Sequence, residues 1–355
     1  MQGKYKALWL NDDNFLEVID QTKLPFSYET KVLKTTDEIV EAIKDMTVRG
    51  AGVIGSVAAF GIYTACLETK GNFDNIHLKA KQIRESRPTA VNLMWAVDKM
   101  LARLENSQNL IEDALEFAIE LNDEEAKESQ NIANFGADII EDILKKKKKT
   151  QINILTHCNA GWLAVIDEGT ALAPIYEAKK RGIDVHVWVD ETRPRNQGAS
   201  LTAWELTQSG VKHTIIADNT GGHLMQHDMV DMVITGADRV SANGDVANKI
   251  GTYLKALAAY DNDVPFYVAI PASTFDFDIK DGVKDIPIEL RSEDEVKYMR
   301  GVDSGGEVRE VLITPKDSSA INYGFDVTPA RLITGLITNK GVCKADYEEI
   351  QKRFN

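Results

Sequence analysis

From residue 150 onward, short β-branched runs alternate with helix-spaced stretches, and no other feature of this 355-residue chain restricts its fold as much. The runs are INILT (152–156), IDVHVWV (183–189), VKHTIIA (211–217), DMVIT (231–235) and PFYVAI (265–270). Strands that alternate with helices in this way predict a parallel sheet with crossover helices. The preceding part reads differently. Between Thr36 and Leu121, segments such as DEIVEAIKDM, NLMWAVDKMLARL and LIEDALEFAIELN carry apolar residues at helical spacing, with few strand-like runs. The chain is therefore expected to be an α/β protein with a smaller, mainly helical N-terminal domain (1–130) ahead of the sheet domain (131–355).

With 41 Lys+Arg against 55 Asp+Glu the net charge is −14, which argues against a nucleic-acid groove and requires any bound phosphate to meet a local cluster of cations. Cys66, Cys158 and Cys343 are odd in number and widely spaced, without a CxxC pair, so neither a disulfide framework nor a zinc ribbon is expected. The N-terminus meets acidic residues before any apolar run develops, unlike a secretory signal, and a cytoplasmic location is expected. Gly50 to Leu67 is free of charge, but its Gly, Ala and Ser content reads as a buried helix in close contact with neighbouring backbone, and no membrane association is expected. The lysine run 145–149 reads as a solvated helix end or linker.

Ligands of open α/β sheets bind beyond the carboxyl ends of the strands. Each of those ends here carries polar chemistry: THCNAG after the first run, then DETRPRNQG, DNTGG, GADRVSANGDVANKIG and PAST. Turn propensity explains any one of them but not the set. Cys158 is followed by Asn159, Ala160 and Gly161, small residues that let its sulfur approach a ligand. Cys66 and Cys343 read as core residues on helices. Asp238 follows a strongly apolar strand that would carry it into the cleft, where partial burial favours a general acid; Arg239 is its candidate ion-pair partner. NGDVANKIGTY places Asn248 and Lys249 at the opening of a helix, a phosphate cradle that does not match the P-loop pattern. VRGAGVIG puts Arg49 before a Gly-rich helix start, and SRPTAVN gives Arg87 a rigid neighbour in Pro88.

Two patterns carry less. His223 and His227 share a helical spacing, but Leu224 stands where a zinc hydrolase has glutamate. His157 adjoins Cys158, yet neighbours at a strand end point to opposite faces, which disfavours a Cys–His hydrolase.

Taken together, DQTKLP (20–25), VRGAGVIG (48–55), SRPTAVNL (86–93), THCNAG (156–161), DETRPRNQGASLTAWEL (190–206), GADRVSANGDVANKIGTY (236–253), IPIELRSEDEV (286–296) and GFDVTPARLITGLIT (324–338) resemble the methylthioribose-1-phosphate isomerase family. This family is related to ribose-1,5-bisphosphate isomerases and to regulatory subunits of the translation-initiation exchange factor. The resemblance implies a Rossmann-like C-terminal domain with helices on both faces, a homodimer, and no metal or organic cofactor. It also implies an aldose–ketose isomerase acting on a sugar phosphate in methionine salvage, with Cys158 and Asp238 catalytic and Arg49, Gly50, Ala51, Arg87, Gln197, Asn248 and Lys249 binding substrate. The chain departs from the family at Gly52, where RGAP is usual, at Arg195 and Asn196, often apolar, and at Asn322 to Asp326, where NPAFD-like text is found. These changes bear on the 5-substituent and leave 5-deoxyribose 1-phosphate, ribose 1,5-bisphosphate and a non-catalytic regulatory subunit as alternatives.

Overall fold

A computed structural model of the chain describes residues 6–87 and 91–354; Pro88 lies outside them. An antiparallel meander comes first, β1 (Leu8–Leu10), β2 (Leu16–Ile19) and β3 (Thr30–Leu33). Five helices follow: α1 (Thr36–Lys44), α2 (Ala51–Thr69), α3 (Phe73–Glu85), α4 (Val91–Leu104) and α5 (Leu110–Lys147). A capping box starts α1, the Thr35 hydroxyl accepting from the Glu38 N–H and the Glu38 carboxylate from that of Thr35. Its Ile39, Ala42 and Ile43 then face inward.

Helix α2 is buried from Gly52 to Cys66, on all sides rather than along one stripe, which accounts for its lack of charge. It is the one described helix long and apolar enough to cross a membrane, and it forms the centre of the helical half instead, as its sequence suggested. Gly61 permits the contact with its neighbours: a Cβ there would stand 2.9 Å from Ile83 and 3.2 Å from Ile39.

The expected boundary near residue 130 falls inside α5, a continuous helix of 38 residues. Its side chains change core along the way. Ala114, Ala118 and Leu121 join the N-terminal helices, whereas Ile132, Ala137 and Ile140 pack on the sheet. At its end Lys147 and Lys149 reach the buried Asp231 at 3.0 and 2.6 Å, so two residues of the lysine run tie the helix to the sheet rather than being simply solvated.

The sheet domain proceeds through β4 (Gln151–Thr156), α6 (Ala173–Lys180), β5 (Asp184–Asp190), α7 (Ala203–Gln208), β6 (Lys212–Ile216), α8 (Thr220–Gln226), β7 (Met232–Thr235), β8 (Arg239–Ser241), β9 (Val246–Lys249), α9 (Thr252–Asp261), β10 (Phe266–Ile270) and β11 (Phe275–Asp276). It ends with β12 (Tyr298–Val302), β13 (Val308–Leu312), β14 (Phe325–Thr328), β15 (Gly335–Thr338), β16 (Gly341–Cys343) and the helix Tyr347–Phe354. All five sequence runs became strands of one seven-stranded sheet, ordered β16-β15-β10-β7-β4-β5-β6 and parallel except for β16. The chain winds outward from β4 in both directions, the doubly wound Rossmann order. Alternate side chains serve opposite faces: Ile152 and Ile154 pack with α5 and α6, whereas Leu155 joins Leu224, Met225, Ala256 and Ala259 of α8 and α9.

Where sequence suggested only a loop, β8 and β9 form a small sheet with β11 and β14. Two expectations are corrected by these strands. Asn248 and Lys249 are the last residues of β9, three to four positions before α9 starts, and Cys343 ends β16 rather than lying on a helix. Strand pairing fixes both placements, with β14 against β9 and β15 against β16.

Candidate active site

The winding of the sheet reverses between β4 and β7, and the loops beyond those two strands open onto a cavity of about 1290 Å³, counting the part open to solvent. All nine residues selected from sequence line it: Arg49, Gly50, Ala51, Arg87, Cys158, Gln197, Asp238, Asn248 and Lys249. The helical half thus closes one side of a site whose floor is the sheet.

Cys158 stands just beyond β4 in the left-handed region, φ 65°. That conformation costs a β-carbon residue on the order of 1–3 kcal/mol and has to be held from outside. Its N–H donates to Thr192 Oγ1 at 2.8 Å, and its carbonyl accepts from Thr202 Oγ1 at 2.7 Å. His157 is committed elsewhere, Nδ1 to Asp190 Oδ2 and Nε2 to the Ile250 carbonyl, both at 2.9 Å. Both ring nitrogens are thus engaged away from the sulfur. The ring is no base for Cys158, as the sequence suggested.

Asp238 is exposed to the open cavity, with the cavity walls packed around it. Burial raises its carboxyl pKa, against the opposing pull of Lys249, Arg87 and Arg49. Arg239 forms an ion pair with Asp276 at 3.2 Å, not the pair with Asp238 that adjacency suggested. Lys249 is buried, donates to the Gly324 carbonyl at 3.1 Å and lies 4.8 Å from the Phe325 ring centroid. Burial lowers its pKa while the nearby Cys158 and Asp238 raise it. Arg87 is likewise lowered by burial and supported by Asp238 and Glu289. Arg49, Arg87 and Lys249 give the cavity a cationic wall in a chain of net charge −14.

Gly50 opens α2 at φ 93°, and a Cβ there would fall 2.4 Å from the Ala164 Cα. Only glycine lets the helix start so close to the loop after Cys158. No side chain caps α2, and Gly50, Ala51 and Gly52 all line the cavity, which presents the positive end of a 19-residue helix to an anion. Part of the lining is an apolar wall, with Met46, Val165, Ile286, Ile288 and Phe325.

Two groups went unread in the sequence. Asn159 carries Arg49, whose guanidinium donates to its Oδ1 at 2.5 Å and its carbonyl at 2.9 Å. Glu205, wholly buried, accepts from Asn159 at 2.8 Å. A lone acid among apolar residues, as in TAWEL, was the available signal. His223 and His227 are exposed on α8, with the His227 ring bonded to the His223 carbonyl. His157, Asp190 and Asp218 gather three potential metal-ligand atoms within 4.8 Å. Their acidic charge is already answered, by the Lys255 ammonium 3.1 Å from Asp190 and by the Thr192 and Arg193 N–H groups on Asp218 at 2.7 Å.

Residues 47–345 match the model of the initiation factor 2 subunit family. The chain belongs to this family. Within it, a methylthioribose-1-phosphate isomerase of Sulfurimonas denitrificans is 75% identical, over 100% of this chain and 99% of its own length. The crystal structure of 5-methylthioribose 1-phosphate isomerase from Pyrococcus horikoshii matches with a TM-score of 0.85 at 36% identity, covering 99% of this chain and 96% of that one. The translation initiation factor eIF-2B delta subunit from A. fulgidus matches with a TM-score of 0.83 at 34% identity, covering 99% of both chains. This family of folds therefore includes proteins named as enzymes and as initiation-factor subunits, and the similarity at 75% identity is to the former.

Proposed function

We propose that the chain is an aldose–ketose isomerase that converts 5-methylthioribose 1-phosphate to 5-methylthioribulose 1-phosphate in methionine salvage. The observation that carries this reading is the convergence of Cys158, Asp238 and three cations on one enclosed cavity at the reversal of the sheet. The name of the relative at 75% identity over its full length supplies the substrate. Arg49, Arg87, Lys249 and the start of α2 at Gly50 and Ala51 hold the phosphate, and Asn248 and Gln197 take sugar hydroxyls. Gln197 Oε1 is buried without a hydrogen-bond partner, which suits a hydroxyl donor. The apolar wall receives the methylthio group.

Because C1 carries phosphate, the ring has no free aldehyde and must be opened first. Asp238, whose carboxyl pKa is raised by burial, gives a proton to the ring oxygen. Hydrogen then moves from C2 to C1 beside Cys158, and as the C2 carbonyl forms the 2-hydroxyl proton returns to the Asp238 carboxylate. The migrating hydrogen travels as a proton, with the thiolate as base and an enol-type intermediate, or as a hydride, with Cys158 stabilising the transition state in a dry pocket. The half before residue 130 supplies Arg49, Gly50, Ala51 and Arg87, and the rest supplies the catalytic pair, a division of labour that fits two domains. A cytoplasmic homodimer belongs to the same reading.

The test is ketose formation from methylthioribose 1-phosphate, 5-deoxyribose 1-phosphate and ribose 1,5-bisphosphate. Fastest turnover of the first is expected. Inactivity on all three overturns the isomerase reading. Deuterium placed at C2 then separates the two routes, since a proton route releases label to solvent and a hydride route keeps it on C1.

A further inference from the structure

Glu205 on α7 does not line the cavity, yet three of its four hydrogen bonds lead into the loop that carries Cys158. Its Oε1 accepts from Asn159 Nδ2 at 2.8 Å and from the Leu163 N–H at 3.0 Å. Its Oε2 accepts from the Trp162 N–H and the Tyr176 hydroxyl, both at 3.0 Å. One turn earlier Thr202, the last residue of a π-helical turn, donates to the Cys158 carbonyl at 2.7 Å and accepts from Asn159 at 3.2 Å. The Asn159 NH₂ thus faces two acceptors on α7 and its flank, so its oxygen turns the other way. There it receives Arg49.

A buried carboxylate is costly unless every lone pair is used, and a leucine would fill the same space without that cost. Leucine could not answer four converging donors. We propose that Glu205 is a positioning residue: its carboxylate fixes the loop after Cys158 and, through the Asn159 amide, aims Arg49 into the cavity. The aiming of Arg49 at a phosphate rests on the proposed function, whereas the fixing of the Cys158 loop does not.

The substitutions follow from the donor pattern. Glu205→Gln keeps one oxygen for Asn159 and Leu163 and turns its NH₂ to the Tyr176 hydroxyl, which can accept, losing only the bond from the Trp162 N–H. Glu205→Leu removes every acceptor, whereas Asn159→Ala leaves the Glu205 bonds to Trp162, Leu163 and Tyr176 and removes the amide that joins Glu205 and Thr202 to Arg49. Two readouts are taken: KM and kcat for the sugar phosphate, and the rate at which iodoacetamide alkylates each cysteine, which needs no substrate. Glu205→Leu is expected to raise KM and to speed Cys158 alkylation by about tenfold each, with Glu205→Gln within about threefold of wild type. Cys66 and Cys343, held in the two cores, keep their rates; general loosening would speed all three. Asn159→Ala raises KM like Glu205→Leu, and its effect disappears in an Arg49→Ala background.

Unchanged KM and unchanged Cys158 alkylation in folded Glu205→Leu overturn the proposal. So does an Asn159→Ala effect that adds in full to Arg49→Ala. If Glu205→Leu does not fold, Asn159→Ala and Thr202→Val decide, the second by Cys158 alkylation. Absence of turnover in the wild type is a failure of the isomerase reading, and the alkylation rates then decide alone.

Discussion

Cys158 lies two residues beyond β4 and Asp238 three beyond β7, and these strands are hydrogen-bonded neighbours with Leu155 opposite Val233. Parallel pairing sends both chain ends out of the sheet on the same side. The pair separated by 80 positions in sequence therefore meets at the one gap where consecutive windings diverge and no crossover helix fills the space.

Cys158→Ser and Asp238→Asn should each lower kcat by about 10²–10⁴-fold while leaving the thermal unfolding midpoint nearly unchanged. Both substitutions conserve volume, and the Cys158 backbone is held by Thr192 and Thr202 rather than by its sulfur. Ketose formation measures the first effect and calorimetry the second. Undiminished turnover in either variant removes that residue from the assigned role.

The general-acid assignment fixes a sign in pH. Asp238 acts only while protonated, so kcat falls as pH rises through its raised pKa. Lys249 is the largest of the charges that lower that pKa. Removing it in Lys249→Met moves the alkaline limb of kcat to higher pH and raises KM through the lost phosphate contact. A limb that stays put or moves down would argue against Asp238 as the acid.

The five long runs were legible as strands because each is rich in β-branched residues and flanked by turn residues, a local property. Their order was not, since pairing β4 with β7 rather than only with β5 is decided by packing between segments far apart. The meander β1 to β3 escaped notice because strands of three or four residues leave little periodicity. Helical texture marked α5 but not its continuity, so the expected boundary near residue 130 lies within one helix, between the residues that join the helical core and those that pack on the sheet. At the site, Cys158 and Asp238 were legible from strand-end position. Glu205 was not, because its role lies in donors brought in by Asn159, Trp162, Leu163 and Tyr176.

Glu125, buried between α2 and α5 and bonded to Ser56 at 3.1 Å, has its pKa pushed up to about 8 by burial. In the unfolded chain the group ionises near its ordinary value of 4.5, so between that pH and about 8 the folded state binds more protons. Its contribution to stability is complete at low pH and is lost as pH rises through about 8. Glu125→Gln should therefore stabilise the protein at pH 9 by on the order of 3–5 kcal/mol and change little at pH 4.5. Urea unfolding at the two pH values reads this directly, and equal effects at both would refute it.

Two glycines with positive φ separate backbone strain from crowding. Gly182, at φ 82° with nothing within 4 Å, should accept alanine at a cost of about 1 kcal/mol. Gly50→Ala adds to that strain a clash with the Ala164 backbone and should cost about 3 kcal/mol or more, with a higher KM because the start of α2 is displaced. Similar costs at the two sites would mean that the loop after Cys158 can give way.

Of the departures that bear on the 5-substituent, Arg195 and Asn196 lie outside the lining of the main cavity, whereas Gly52 and Phe325 belong to it. Arg195 and Asn196 border a second cavity of about 1070 Å³ that shares Met46, Arg49 and Gln197 with the first. The Arg195 charge is spent on Glu295 at 2.8 Å, and with Arg291 it holds that carboxyl down to about 2. An ion pair of this kind, open to solvent, contributes about 0–1 kcal/mol. Arg195→Leu should therefore leave kcat/KM for methylthioribose 1-phosphate within about threefold of wild type, and the ratio to 5-deoxyribose 1-phosphate likewise. A tenfold change in that ratio would place the 5-substituent against the second cavity instead of the apolar wall formed by Met46, Val165 and Phe325.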